Sequence, residues 1–137
     1  MLHAAIACNC LAAVLLFLGA VKFGQGPVPV TYHKLILDEE GSELSPYQTL
    51  ILTGLYRAFA GTMLALDLLI VALSLGPILQ DELWAKVALL LASVAFTAGS
   101  YFVPRSIEEI TGVQTPWRLS LLIGGLLGVG FVLALIG

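Results

Sequence analysis

Four long apolar runs, at residues 4–21, 58–75, 87–103 and 119–137, take up more than half of this 137-residue chain. With flanking interfacial residues included, each reaches the ~20 residues that a helix rising ~1.5 Å per residue needs to cross ~30 Å of hydrocarbon. The expected architecture is an all-α integral membrane bundle of four antiparallel transmembrane helices, at about 2–23, 46–75, 82–103 and 116–137. Four crossings leave no room for a separate soluble domain. Composition agrees, since 59% of residues are hydrophobic and 11% charged, against roughly a quarter charged in an ordinary soluble domain.

The same figures exclude several function classes. A net charge of -3 spread over loops offers no basic patch for nucleic acid. Cys8 and Cys10, two apart on a helix, point to nearly opposite sides and form neither a disulfide nor a zinc site. No cofactor motif is present. The first run lacks a basic leader and an Ala-x-Ala-like cleavage site before Lys22, so it reads as a crossing and not as a signal peptide.

Local signals set the boundaries. Gly24-Gln25-Gly26-Pro27-Val28-Pro29 stops the first helix, and a loop of about twenty residues follows, carrying Tyr32, His33, Lys34, Asp38, Glu39, Glu40 and Glu43. Its Leu35-Ile36-Leu37 is expected to rest on the protein or the membrane interface. Ser45-Pro46-Tyr47-Gln48 is a capping box with proline at the first helical position. Gly76-Pro77 ends the second helix, and Asp81 is placed to cap the third, with Glu82 in its first turn. Trp84 and Tyr101 lie near the ends of the third helix, as aromatic belts require. Pro104 is expected to close that helix, with a separate short surface helix from Ser106 to Gly112. Thr115-Pro116 is expected to cap the fourth.

Lys and Arg near the crossings set the orientation. Lys22, Lys34, Arg105 and Arg118 flank the first and third loops, whereas the second loop side has only Lys86. Those two loops are therefore expected in the cytoplasm and both termini outside.

Asp67 is the single charge within 58–75. A carboxyl there costs a few kcal/mol on insertion scales (about 2.5–3.5) and is usually offset by a partner or tied to a function. Matching depths across antiparallel helices places it near Asn9, Ser93 and Thr97. Together these form a candidate polar site for a proton, a cation or a head group, or else a hydrogen-bonded clip between helices. Gly54, Ala58, Gly61 and Ala65 make a small-residue seam expected to receive a neighbouring helix, and Ser120, Gly124 and Gly128 a second one. Arg57 lies close enough to the boundary for its side chain to snorkel. It could bind an anionic head group or pair with Asp38, Glu108 or Glu109. One histidine, His33, among loosely spaced acids reads as a solvated loop and not as a metal site.

Thr31-Tyr32-His33, then Gln48, Arg57 and Gly61, then Thr115-Pro116-Trp117 resemble the pattern of a family of small four-helix bacterial membrane proteins of unknown function. That family has Pro-Tyr-His in the first loop, an Arg followed by glycines in the second helix, and Thr-Pro or Pro-Trp before the fourth. Thr31 stands here for the proline and Ala60 for one glycine. The resemblance implies an inner-membrane location and draws attention to Tyr32, His33 and Arg57. Other four-helix families fit less well: there is no embedded Glu in the first helix as in small multidrug exporters, and no Cys-x-x-Cys as in quinone-linked thiol oxidoreductases. Nor are there the basic and polar interior residues expected of membrane glutathione transferases.

The leading expectation is a non-catalytic membrane bundle or accessory component, surrounded by lipid and self-associating or bound to a membrane partner. A proton-coupled or lipid-binding transporter using Asp67 and Arg57 is the first alternative, for which a cavity should reach Asp67. A membrane enzyme built from Tyr32, His33, Arg57 and Glu108 is the second, for which one closed pocket should join them.

Overall fold

The computed structural model describes Met1–Gly137 and is entirely helical: α1 (Leu2–Gln25), α2 (Thr31–Glu39), α3 (Pro46–Leu75), α4 (Leu83–Thr111) and α5 (Trp117–Leu135). All but α2 are long and apolar enough to cross a membrane. Large apolar side chains such as Leu18, Leu68, Leu91 and Leu122 are exposed on their outer faces. That is expected where lipid tails, and not water, solvate the exterior.

α1 is the hub, packing on α3 along one side and on α5 along the other; α5 in turn packs on α4, and α3 touches α4 only lightly. The hub works because its buried stripe is small: Ala5, Asn9, Ala12, Ala13, Leu16 and Ala20 recur every three or four residues. Hydrocarbon gives no hydrophobic drive for one helix to join another, so close backbone approach over small side chains supplies the dispersion contact instead. Glycines of α1 do the same at its far end, with Gly19 against Met63 and Gly24 against Ala60. With Asn9 against Ser74, residue numbers on α3 fall as those on α1 rise.

The seam Gly54, Ala58, Gly61 and Ala65 is exposed, contrary to expectation. The face that packs inward is Tyr56, Ala60, Met63, Asp67, Ile70 and Ser74. On α5, Ser120 and Gly124 meet α4 and Gly130 meets α1, while a side chain at Gly128 would touch nothing.

The Ser45–Gln48 capping box forms as the sequence predicts. Three other boundaries differ. The first long loop contains α2, whose Tyr32, His33, Ile36 and Leu37 are half-buried while Thr31, Lys34, Leu35 and Asp38 are exposed, an amphipathic pattern too short to register as a crossing. Asp81 does not cap α4. It adopts a left-handed backbone (φ 65°) and its carboxylate pairs with Lys86, which also donates to the Ala134 carbonyl at 2.6 Å and so closes the end of α5.

The third difference is at Pro104, which lies inside α4; the helix runs on to Thr111 and ends on Gly112 in the left-handed conformation, with no separate surface helix. Proline removes the N–H that would bond the Ser100 carbonyl. Ser120 Oγ of α5 donates to that carbonyl instead, at 3.0 Å, so a neighbouring hydroxyl satisfies the freed group within the membrane. Thr115 Oγ1 donates to the Pro104 carbonyl at 2.8 Å. Thr115 is thereby occupied and does not cap α5, which begins at Trp117.

Glu108 ties this corner. Its carboxylate accepts from Thr115 N (2.9 Å), Trp117 Nε1 (2.9 Å) and Arg118 Nη2 (3.0 Å), covering the start of α5 from a neighbouring helix. Arg118 and Arg105 flank the Trp117 ring from 4.5 and 5.7 Å. Glu108→Gln should lower the melting temperature in detergent, because a neutral amide weakens three bonds to one carboxylate. Glu109→Gln, which loses only a surface ion pair with Arg105, should leave it unchanged.

Candidate functional site

Because α3 and α4 barely touch, a cavity of about 410 Å³ opens between them. Phe59 and Met63 of α3 form one wall and Phe96, Gly99 and Val103 of α4 the other. The end of α1, through Gly19, Lys22 and Phe23, and the start of α5, through Leu119, Ser120 and Ile123, complete it. α2 brings Tyr32 and His33 to its edge, next to Tyr56. The walls are largely apolar and carry aromatic contacts, Phe23 edge-on to Phe59 at 5.2 Å and Phe59 stacked with Phe96 at 6.4 Å.

The polar groups gather at the α2 end. His33 Nδ1 and the Tyr56 hydroxyl share a hydrogen bond, and the Tyr32 ring lies 4.1 Å from the imidazole between centroids. Burial pushes the Tyr32 phenol up to about 12, reinforced by Tyr56, so it stays a protonated donor. Burial also holds the His33 imidazole below its ordinary 6.5, so it is neutral near pH 7. Lys22 is the one fixed charge lining the cavity, and no Asp or Glu lines it. Such a space can hold an apolar body at depth and a hydrogen-bonded head at the edge.

The depressed imidazole makes stability depend on pH with a definite sign. The folded form takes up the His33 proton less readily than the unfolded chain, so its contribution is full above 6.5 and is lost as pH falls below that value. The melting temperature at about pH 5.5 should be lower than at about pH 7.5. His33→Gln should shrink that difference; an undiminished difference would assign the pH dependence to another group.

The residues expected to form one polar site at mid-membrane are dispersed. Asn9 Nδ2 donates to Ser74 Oγ at 3.0 Å and its Oδ1 has no partner. The α1–α3 pairings place Asp67 two turns from Ser74 along α3, facing the stretch of α1 between Asn9 and Gly19. Ser93 Oγ donates to the Leu90 carbonyl of its own helix at 2.7 Å, and Thr97 Oγ1 sits unpartnered against Gly124. Asp67 is 8% exposed and joins no hydrogen bond or ion pair, and it does not line the cavity. A shared depth does not make these groups neighbours, because α3 leans on α1 and α4 on α5 while α3 and α4 barely touch.

With no partner to lose, Asp67→Leu should favour membrane insertion by about 2–3 kcal/mol in a glycosylation-mapped insertion assay. A loss of folded protein would instead show that the carboxyl holds something in place.

Arg57 is exposed and unpaired, on the side of α3 away from the cavity. The acids proposed for it are engaged elsewhere, Glu108 with Arg118 and Glu109 with Arg105, and Asp38 makes no ion pair. Of the sequence candidates, the cavity gathers Tyr32 and His33 alone. It adds Lys22, Tyr56, Phe59, Met63 and Phe96, which sequence reasoning missed. The available signal was the spacing of Tyr56, Phe59 and Met63 at three and four along one face of α3, but in a membrane helix aromatic and apolar residues at that spacing read simply as packing.

Comparison with protein-family models, with characterised proteins and with solved structures finds no match to this chain. Function must therefore be argued from the cavity.

Proposed function

We propose that the protein is a non-catalytic accessory component of the bacterial inner membrane, a bundle of four antiparallel crossings that holds a lipid-like small molecule in the cavity beneath α2. The cavity carries this reading: at about 410 Å³ it falls within the size range of small-molecule sites, about 300–1,000 Å³, with an apolar body and a few convergent polar groups. In this reading α2 lies at the cytoplasmic face, where the excess of Lys and Arg puts the first and third loops. The pattern of Tyr32-His33, Arg57 and Thr115-Pro116-Trp117 supports placement among small four-helix bacterial membrane proteins. The exposed Gly54–Gly61 face is available for self-association.

Binding is favoured over the two alternatives on specific grounds. A transporter using Asp67 and Arg57 would need them in one path, and neither lines the cavity. An enzyme built from Tyr32, His33, Arg57 and Glu108 would need the last two beside the imidazole; Arg57 faces away and Glu108 is saturated with donors at the start of α5.

Purification in a mild detergent followed by native mass spectrometry tests the reading. The protein should carry a stoichiometric small molecule released on unfolding. A protein of bare polypeptide mass that also takes up no added lipid would overturn it.

A further inference from the structure

The cavity also constrains the chemistry of what it holds. We infer that its ligand is a single-chain amphiphile with a carboxylate head, a fatty-acid-like molecule, seated with the head between Lys22 and the His33–Tyr56 pair and the chain running toward Met63 and Ile123. This rests on the binding reading above and deepens it.

Charge is the first argument. Lys22 makes no ion pair, and the cavity has no carboxylate of its own, so one positive charge lacks a counter-charge beside a largely apolar space. A bound anion supplies it, paired with an exposed ammonium at the rim of that space. A zwitterionic phospholipid head fits poorly, because its cationic end would find no acid.

Hydrogen bonding is the second. Only one proton lies between His33 Nδ1 and the Tyr56 oxygen. If the phenol donates, the imidazole keeps its Nε2–H; if the imidazole donates, the phenol keeps its O–H. In either tautomer the pair retains one free donor, and with the Lys22 ammonium it makes two donors for two carboxylate oxygens.

Volume is the third. A methylene takes up about as much room as a water molecule in the liquid, about 30 Å³. A cavity of about 410 Å³ therefore has room for on the order of a dozen methylenes, enough for one acyl chain.

The test uses the full-length protein in detergent and a diazirine-bearing palmitate as photoprobe, competed by unlabelled palmitate or by hexadecanol, which differs only at the head. The probe should label peptides holding Met63 or Phe96, and palmitate should compete at about tenfold lower concentration than hexadecanol. Lys22→Gln should abolish that preference and Lys22→Arg retain it, both variants eluting like the wild type on gel filtration. Equal competition by acid and alcohol, or a preference that survives Lys22→Gln, overturns the carboxylate inference and leaves the binding reading intact. Absence of cavity labelling overturns both.

Discussion

Gly99→Leu should abolish ligand retention without weakening the bundle. Gly99 lines the cavity, and a Cβ built on it meets no atom within 4 Å. The added side chain therefore enters space that the ligand is proposed to use, with no clash against protein. Replacing glycine within a helix also removes a backbone-entropy penalty of about 0.8–1.0 kcal/mol relative to alanine, most of which leucine recovers. The two effects have opposite consequences, which makes the result diagnostic. Retained ligand measured by native mass spectrometry should fall more than about tenfold, equivalent to at least about 1.4 kcal/mol, while the melting temperature in detergent holds or rises. Undiminished ligand in this variant would move the site away from the α3–α4 gap.

Gly130→Leu should do the reverse and cripple folding. A side chain there collides with Asn9 Oδ1 and comes within 3.3 Å of the Ala5 carbonyl, wedging α5 off the hub helix. Overpacking of this kind costs about 1–3 kcal/mol. Displacing the Asn9 amide from Ser74 adds about 1 kcal/mol for a lost buried hydrogen bond. A total of about 2–4 kcal/mol should be measurable as a lower midpoint in SDS titration of the micelle-bound protein. Gly128→Leu is the internal control. It lies on the same helix two residues earlier, its Cβ would meet nothing, and it should leave the midpoint unchanged or raise it by up to about 1 kcal/mol, the helical glycine penalty that leucine recovers. Equal effects at the two positions would mean that α5 does not pack on α1 through Gly130.

The contrast between Gly128 and Gly130 also shows how much of this molecule can be read from its sequence. Residues 120, 124 and 128 have the regular spacing that marks a packing seam, yet the contact with α1 is made at 130, off that register. On α3 the seam Gly54, Ala58, Gly61, Ala65 is the more persuasive pattern, and it faces outward. Periodicity identifies which residues share a face, but it carries no information about which face meets a neighbour when lipid and protein are equally apolar. In a water-soluble bundle the apolar face would be the buried one. Here every face is apolar, so the usual signal is lost.

The same loss explains Asn9, Asp67, Ser93 and Thr97. Polar residues are rare in the crossings and fall at similar depths, yet each satisfies itself locally, reaches a different helix or is left alone. The Ser100 carbonyl, bonded by Ser120 because Pro104 has no N–H, is a case in which local sequence stated the need and only the fold supplied the partner. Glu108 is similar: it falls in the stretch expected to form a separate surface helix, and it instead covers the start of α5.

What the sequence determined by itself is the number of membrane-length helices and the Ser45–Gln48 start of α3, because length, hydropathy and capping are properties of contiguous residues. The order of packing, with α1 at the centre and α3 and α4 apart, belongs to the tertiary structure, as does the cavity that this order leaves beneath Tyr32 and His33. Close approach of helices depends on side-chain volumes from two chain segments at once. No single run of residues contains both.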